Sequence, residues 1–361
     1  MVLTVRYGKN GIANCVMNYI SRLDPARVRC DLVCPNEPGE EARALVEKTG
    51  GNVFVLFGRN RRPLSYMRRL SKLVREREIE VLHAHGNSAT LASELIAAKR
   101  GGARVRMPHS HNTTCTMKKT DKLLRGIFYR ASTDNMACSV AAGEWLYPKR
   151  DYTVLNNAID TERFRFSAHE RERMRESLGF ATDEFVYLHV GAFNEQKNQA
   201  FLLEAFAKLL ESKPNARLLL VGDGERRASC EARAETLDLR RRVSFLGLRD
   251  DIPALLSAAD AFVLPSLHEG LPLTLVEAQC AGLSCVASDR VTREAALTEL
   301  VSFTPIEQAE VFALAMRGVK QTDRAITSSV AILRARETGY DVSQNAQTLM
   351  EIYEFAAKKR G

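Results

Sequence analysis

The sequence has no hydrophobic stretch long enough to cross a bilayer, since no uncharged apolar run approaches the roughly 18 residues that a spanning helix needs. Arg6 and Lys9 interrupt the first residues, which excludes the apolar core of a secretory signal peptide. No C-x-x-C pair occurs among the eight cysteines, and the spacing of Cys30 and Cys34 gives little support to a zinc site with distant histidines. These absences predict a cytoplasmic chain whose thiols stay reduced.

The composition is that of a globular protein, with 45% hydrophobic and 27% charged residues. At roughly 150 residues per domain, the 361 residues favour two domains. Charge is distributed unevenly: residues 1–160 hold 26 Lys and Arg against 15 Asp and Glu, whereas the remainder holds 26 against 29. A basic half predicts an anionic partner, which could be a membrane surface, a nucleic acid or a phosphorylated ligand.

Short apolar runs alternate with amphipathic helical patterns, and the alternation occurs twice. The first series predicts strands at 2–7, 29–35, 52–57, 80–86 and 103–111. The second series predicts strands at 185–191, 216–224, 243–247, 261–266 and 284–288. Strands that alternate with helices are typical of α/β domains with parallel sheets. We therefore expect two doubly wound domains joined within the charged segment 160–182, each binding ligands at the carboxyl ends of its strands.

The strongest local signal for function is the stretch PSLHEGLPLTLVEAQCAG at 265–282. Glu269 follows a predicted strand, and Glu277 lies seven intervening residues later on the next helix. Gly270 permits unusual backbone angles, and Pro272 suits the first turn of a helix. Unpaired N–H groups at such a helix start favour an anion. The N–H groups expected there belong to Gly270, Leu271, Leu273 and Thr274.

Two carboxylates on either side of an anion site can hold hydroxyl groups on both sides of a diphosphate, as a nucleotide sugar requires. Taken singly, Glu269 could be merely solvated, and Glu277 could merely complement the helix dipole. The combination of strand, glycine, proline and spacing favours a functional site over those alternatives.

The chain resembles the retaining glycosyltransferases of family 4 over nearly its whole length, and Glu269 and Glu277 match the E-x(7)-E signature of that family. The other segments that carry the resemblance are VLHAHG (81–86), HSHNTT (109–114), LNNAIDTERF (155–164), NEQKN (194–198) and LLLVGDGE (218–225). The HSHN stretch is most similar to bacterial enzymes of capsule and exopolysaccharide assembly.

The resemblance implies an α/β fold of GT-B architecture, with two facing Rossmann-like, doubly wound parallel-sheet domains and a cleft between them. The last helix of such enzymes usually crosses back to the first domain. We therefore expect an acceptor-side domain of 1–165 plus 340–361 and a donor-binding domain of 166–339.

The resemblance also assigns roles in the donor site. Glu269 would contact the donor sugar next to the reacting carbon, and Glu277 would bind the ribose hydroxyls. Gly270 and Leu271 would offer backbone donors to the diphosphate. Lys197 would neutralise the diphosphate as it leaves.

The family usually has an arginine after the glycine that matches Gly191, but Ala192 stands here. The diphosphate would thus lose a bidentate cationic partner, which Arg226 could replace. Gly11 represents the glycine pair that the family often has in its first loop, where it approaches the donor; a simple turn is the alternative.

Histidines at two predicted strand ends are candidates for the first domain. His111 best matches the family histidine that faces the donor sugar, with His109 as second choice and a structural role as the alternative for His109. His85 is expected to line the cleft on the acceptor side together with His109, whereas His83 and the strand residue His189 are expected to be structural.

The family implies transfer of a hexosyl or N-acetylhexosaminyl group from a nucleotide-diphosphate sugar, with UDP favoured, to a lipid-linked or polysaccharide hydroxyl. The leaving diphosphate would help to deprotonate the acceptor, so the protein acts mainly by electrostatics and positioning. No D-x-D motif ends a strand, so we expect no metal and no cofactor. The single glycine and Ala192 leave open a nucleotide-sugar-binding scaffold of low activity, and Glu269 disfavours an epimerase of the same architecture.

Two basic segments, 59–77 and 117–130, mix Lys and Arg with apolar residues. Such segments can lie on an anionic bilayer, and their alternative is a soluble helix with a charged outer face. We expect contact with the inner face of the cell membrane. Nucleic acid is not an expected partner because no module that reads it is recognisable.

Overall fold

The computed structural model describes residues 1–4, 6–7 and 11–361. The chain divides into two compact units, Met1–Ile159 with Gly339–Gly361, and Asp160–Thr338. Residues 160–165, which we expected at the end of the first domain, thus belong to the second unit. Hydrogen bonds explain this placement, because Arg165 Nη1 donates to Ser329 Oγ at 3.0 Å within the same unit.

The first unit is built on a seven-stranded parallel sheet in the order β3-β2-β1-β4-β5-β6-β7. Its strands are β1 (Val2–Leu3), β2 (Leu32–Cys34), β3 (Val53–Val55), β4 (Val81–Gly86), β5 (Val105–Ser110), β6 (Met136–Ala137) and β7 (Thr153–Val154). Its helices are α1 (Gly11–Ile20), α2 (Glu40–Lys48), α3 (Pro63–Glu76), α4 (Ala92–Gly101), α5 (Lys118–Ala131) and α6 (Val140–Leu146). Part of the strand predicted at 2–7 lies outside the described residues, and β6, α6 and β7 were not predicted.

The core of the first unit lies on both faces of its sheet. One face packs against α3, α4 and α5 through side chains such as Leu70, Leu95 and Phe128. The other face packs against α1 and against the final helix of the chain, whose Tyr353 belongs to the same cluster as Tyr19 on α1. The chain therefore returns to the first unit at its end.

The second unit contains a six-stranded parallel sheet in the order β10-β9-β8-β11-β12-β13. Its strands are β8 (Phe185–Val190), β9 (Ala216–Val221), β10 (Val243–Gly247), β11 (Ala261–Leu264), β12 (Ser284–Ser288) and β13 (Val301–Thr304). Its helices are α7 (Ala168–Ser177), α8 (Gln199–Leu210), α9 (Arg227–Thr236), α10 (Ile252–Ala258), α11 (Leu273–Cys280), α12 (Ala309–Arg317) and α13 (Arg324–Glu337), and α14 (Val342–Arg360) closes the first unit.

The strand order reverses between β8 and β11, which are neighbours although they are distant in sequence. Ala261 of β11 lies opposite Tyr187 of β8. Both strands are almost fully buried, consistent with their continuous apolar sequences. Loops that leave the carboxyl ends of two such strands diverge at the switch point, where open α/β sheets bind ligands. These loops are residues 191–198 and 265–272.

The charged segment 160–182 is ordered by hydrogen bonds and ion pairs that its arginines make to the rest of the second unit. On α7, Arg171 donates through Nη1 to the carbonyls of Ser257, Ala258 and Ala259, and its Nη2 lies 2.6 Å from Asp260 Oδ1. These carbonyls end α10, where a cation is favoured by the helix dipole. The segment is therefore a packed helix of the second unit and not a free linker.

Candidate functional site

Two loops of the second unit are joined at the carboxyl ends of β8 and β11. The N–H of Leu267 donates to the carbonyl of Gln196 at 2.8 Å. The side-chain amide of Asn198 donates to the carbonyl of Pro265 at 3.3 Å, and Asn198 adopts a left-handed φ of 56°. These bonds bring the NEQKN segment alongside the loop that carries Glu269.

Lys197 and Glu269 form the central ion pair of this site, with Nζ 2.6 Å from Oε1. Their side chains are only 15% and 9% exposed. Gln196 donates through Nε2 to the second carboxylate oxygen, Oε2, at 3.2 Å. The carboxylate is therefore held on both oxygens at the edge of the sheet.

Gly191 makes room for Lys197. A Cβ atom at Gly191 would come within 3.1 Å of Lys197 Cδ and within 3.1 Å of His189 Nε2. A larger residue would therefore displace the lysine stem. His189 is buried, as expected for a structural residue, and burial lowers its pKa to about 4.

No arginine follows Gly191, because Ala192 occupies that position and is exposed. The alternative cation, Arg226, has its Nη2 3.4 Å from Glu195 Oε2, and both side chains are largely exposed. Lys197 is therefore the cation that the fold places directly beside Glu269.

The helix α11 starts where an anion site was predicted. Its first backbone bonds are donated by Leu275 and Val276 to the carbonyl of Pro272. The N–H groups of Leu273 and Thr274 precede those bonds and have no partner within the helix. In the described part of the chain, the hydroxyl oxygens of Thr274 and Ser266 are buried without a hydrogen-bond partner. Unpaired donors at this end of the helix suit a polar, anionic ligand.

Glu277 lies one turn inside α11 and has an unusual ionisation. Burial raises its pKa to about 7, although the charges of Arg163 and Lys197 act in the opposite direction. Its carboxyl group can therefore change charge near neutral pH. A partly desolvated carboxylate of this kind can accept hydrogen bonds from ligand hydroxyls.

The two loop residues expected to donate backbone hydrogen bonds have open surroundings. Gly270 is exposed, and a Cβ atom there would contact nothing within 4 Å. Its φ lies outside the left-handed region, so the expectation of a special backbone conformation at Gly270 is wrong. Leu271 is partly exposed beside it. Space above this loop, and not backbone geometry, is what a glycine provides here.

Four histidines of the first unit line one face of its sheet. His85 of β4 lies opposite His109 of β5, and two-residue alternation places His83 and His111 on the same face. His111 donates from Nδ1 to Asn157 Oδ1 at 2.9 Å, because an amide oxygen can only accept. Its Nε2 must then accept from His85 Nδ1, also at 2.9 Å. This chain of bonds fixes the tautomers of both rings.

The other two rings form a second bonded pair. His83 Nε2 lies 3.1 Å from His109 Nδ1, and His83 Nδ1 lies 2.6 Å from the hydroxyl of Tyr353 on α14. Burial lowers the pKa of His83, His85 and His109 well below 6.5 and that of His111 to about 4. All four rings are therefore neutral near pH 7.

The expectation that His85 lines a binding cleft is not supported, because His85 and His109 are both 0% exposed. Each of them contacts other histidines, which leaves neither ring open to an acceptor. His111 is partly exposed at the edge of this cluster and remains the candidate for ligand contact. The structural role expected for His83 agrees with its burial and its bond to Tyr353.

Three of these histidines lie close enough together to be candidate metal ligands. Within the described residues, nitrogens of His83, His85 and His109 lie within 4.8 Å of one another. The ring planes of His83 and His109 differ by only 5°, however, so the two rings are stacked in parallel on the face of the sheet. Rings that hold a metal converge on one point, and two nitrogens of this group already share a hydrogen bond. The donor geometry thus fits a hydrogen-bonded network better than a metal centre.

Gly11 begins α1 and is exposed, and a Cβ atom there would contact nothing within 4 Å. Lys9 and Asn10, which precede it in the predicted loop, lie outside the described residues. The fold does not itself require glycine at this position.

Sequence reasoning missed three residues that the structure brings into the two sites. Gln196 contacts Glu269, Arg163 acts electrostatically on Glu277, and Asn157 orients His111. Each lies inside a segment that carried the family resemblance, and Gln196 also directly precedes Lys197. Their place in those segments was the available signal.

Two family models match the chain, one for each unit. Residues 9–163 match the model described as Glycosyltransferase Family 4, and residues 170–319 match the model described as Glycosyl transferases group 1.

Similar proteins agree with those models. EpsF, a proposed glycosyltransferase of Bacillus subtilis strain 168, is 33% identical over 99% of this chain and 97% of its own length. The UDP-Gal:alpha-D-GlcNAc-diphosphoundecaprenol alpha-1,3-galactosyltransferase of Escherichia coli is 31% identical over 61% of this chain and 60% of its own length. HepE from Anabaena, solved with UDP and glucose, superposes with a TM-score of 0.79 at 21% identity, covering 98% of each chain. The last comparison shows the two-domain GT-B fold.

Proposed function

Because this chain belongs to the group 1, family 4 glycosyltransferases, we propose that it transfers a hexosyl or N-acetylhexosaminyl group from a UDP-sugar to a hydroxyl of a lipid-linked or polysaccharide acceptor. The observation that carries this proposal is the arrangement around α11. Glu269 is paired with Lys197 before the helix, Glu277 lies within it, and unpaired N–H groups lie between them.

In this proposal the parts of the donor are held by different groups. Glu277 accepts from the ribose hydroxyls, while the start of α11 and Lys197 face the diphosphate. Glu269 faces the sugar, beside the carbon that is attacked. Negative charge grows on the diphosphate as the glycosidic bond breaks, and a cation with fixed N–H donors stabilises that charge.

We further propose that the anomeric configuration is retained and that no metal takes part. The family resemblance supports retention, with the leaving diphosphate accepting the proton of the acceptor hydroxyl. Lys197 supplies positive charge where a metal ion would otherwise act. His111, neutral and bonded to Asn157, is the histidine proposed to contact the donor sugar, without serving as the base.

The acceptor side of the proposal includes an anionic membrane surface. On α5, the apolar side chains of Leu123 and Ile127 are 79% and 47% exposed, and Lys118, Lys119 and Lys122 occupy the same helix. Leu64 on α3 is 68% exposed in a similarly basic segment. Exposed leucines among lysines suit the interface of an anionic bilayer. In the part of the chain that the structure describes, every helix is too short or too polar to span a bilayer.

A panel of sugar nucleotides tests the proposal. The full chain is incubated with UDP-galactose, UDP-glucose, UDP-N-acetylglucosamine or GDP-mannose, and with a GlcNAc-diphospho-lipid acceptor, with and without EDTA. We expect one UDP-sugar to give a glycosylated lipid by mass spectrometry, unaffected by EDTA, with the α-linkage retained by NMR. UDP binding without transfer to any lipid or oligosaccharide acceptor would instead favour the scaffold function that Ala192 suggests.

A further inference from the structure

We infer that Gln196 is a positioning residue, which fixes the Glu269 carboxylate in the orientation that receives the donor sugar. The inference rests on the proposed function, in which Glu269 contacts that sugar. It assigns a role in reaction geometry to a residue that binds no part of the donor itself.

Gln196 is tied to three successive residues of the neighbouring loop. Its Nε2 donates to Glu269 Oε2 at 3.2 Å and to the carbonyl of His268 at 2.9 Å. The backbone carbonyl of Gln196 accepts from the N–H of Leu267 at 2.8 Å. The backbone of Gln196 is therefore fixed to the neighbouring loop, and its side-chain amide cannot rotate away from Glu269 without also breaking the bond to the carbonyl of His268.

The two oxygens of Glu269 have different kinds of partner. Lys197 neutralises charge at Oε1, whereas Gln196 orients Oε2 without adding charge. As negative charge grows on the diphosphate, the attraction on Lys197 shifts away from Glu269. Gln196 then becomes the donor that keeps the carboxylate in place, because a neutral amide is not drawn toward the diphosphate.

Two substitutions of Gln196 separate this role from simple packing. Gln196→Leu keeps the approximate size and removes the donor, so turnover should fall about 10-fold while UDP affinity stays within about twofold. Gln196→Glu is isosteric and places a second carboxylate against Glu269. Because that disfavours the ionised form of Glu269, the acidic limb of the pH–rate profile should move to higher pH.

Matched changes at the exposed Gln321, which lies elsewhere in the second unit, provide the controls: Gln321→Leu and Gln321→Glu should leave turnover, UDP affinity and pH profile unchanged. Turnover is measured as UDP release from the UDP-sugar selected by the panel above, UDP affinity by calorimetry, and folding by the melting temperature.

Four outcomes decide the inference. Reduced turnover with normal UDP binding for Gln196→Leu, together with the shifted profile for Gln196→Glu, supports it. If both variants have the turnover and the pH profile of the parent protein, the inference is overturned and the proposed function is unaffected. Parallel loss of turnover, UDP affinity and melting temperature also overturns it, since that result indicates a packing role. If the parent protein neither binds UDP nor releases it from any UDP-sugar, the proposed function is wrong, and the inference, which rests on it, is wrong as well.

Discussion

Lys197 and Glu269 lie in the loops that follow two neighbouring strands and form an ion pair in which Nζ is 2.6 Å from Oε1, with both side chains largely buried. The pair couples the residue proposed to face the diphosphate with the residue proposed to face the sugar. Loss of either charge therefore leaves the other without its partner, which is costly for a buried group.

Replacement of Lys197 should show how much this residue contributes to neutralising the negative charge of the leaving diphosphate. Ala192 removes the usual arginine, so Lys197→Ala should reduce turnover on the order of 100-fold or more, the scale for one key electrostatic donor. Because Ala192 is exposed, Ala192→Arg can be accommodated and should restore part of the activity in that background. The assay is UDP release from the preferred UDP-sugar.

Lys208→Ala is the control for this series, since Lys208 is a half-exposed lysine on α8 with long ion pairs of 3.5 and 3.8 Å. Near-normal turnover of Lys197→Ala would mean that another cation holds the diphosphate. Arg226 would then be the residue to replace.

The ionisation of Glu277 predicts a pH dependence of nucleotide binding. Its pKa is raised to about 7 by burial, and in the proposed function the ribose hydroxyls donate to the ionised form. Protons therefore compete with the nucleotide, and UDP affinity should rise with pH toward a plateau above 7 and fall by up to about tenfold per unit below it. Calorimetric titration with UDP between pH 5.5 and 8.5 measures this dependence.

Glu277→Gln provides the comparison, because it keeps the shape of the side chain and cannot ionise. Its UDP affinity should be weak, and the part of the pH dependence that Glu277 contributes should be absent, which leaves only the titration of the terminal phosphate of UDP. The same slope in the parent and in Glu277→Gln would assign the titration to a different group.

The histidine cluster predicts acid sensitivity of the first unit. The folded-state pKa of each of the four histidines lies below its ordinary value of 6.5, so protons bind preferentially to the unfolded chain. The contribution to stability is complete above pH 6.5 and decreases as pH falls toward 4, by up to about 1.4 kcal/mol per unit for each ring. The loss in the first unit alone is measured by the protection factors of β4 and β5 amides, which are hydrogen-exchange rates corrected for the intrinsic pH dependence of exchange.

His83→Gln is expected to weaken that pH dependence, because one neutral ring is removed from the cluster. His169→Gln is the control, since His169 is exposed on α7 of the second unit. Protection factors in β4 and β5 that do not change between pH 7 and 5 would contradict the neutral state assigned to these rings.

Membrane contact through α5 predicts lipid-selective binding. Replacement of the exposed Leu123 by Asp should reduce sedimentation with vesicles that contain anionic lipid, because an apolar contact is lost and a like charge is added near the surface. Parental binding should also weaken as salt is raised. Leu314→Asp is the control, because Leu314 is similarly exposed on α12 of the second unit. Equal binding to neutral and anionic vesicles would contradict the proposal.

Much of the fold was predictable from the sequence, because parallel strands and covering helices leave a regular alternation of apolar patterns. The short strands β6 and β7 were missed because two residues carry no periodicity. The helix α13 was also missed. Its Ile326, Val330 and Leu333 repeat at helical spacing but are largely exposed, so this apolar pattern does not mark the face that packs on the core.

The site was predictable in part for a similar reason. Spacing placed Glu269 in a loop and Glu277 on a helix, as the structure has them. Spacing does not give strand register, however, and it is the pairing of His85 with His109 that buries both rings. Nor does it identify which side chains pair across loops, so the contact of Gln196 with Glu269 emerged only from the structure.

The most direct test of the account compares UDP with the preferred UDP-sugar by calorimetry, using the parent protein, Glu277→Gln and Glu269→Gln. If Glu277 holds the ribose and Glu269 the sugar, Glu277→Gln should lose affinity for both ligands. Glu269→Gln should bind UDP normally and lose only the additional affinity that the sugar provides. Parental binding of both ligands by both variants would contradict the placement of the donor between these two carboxylates.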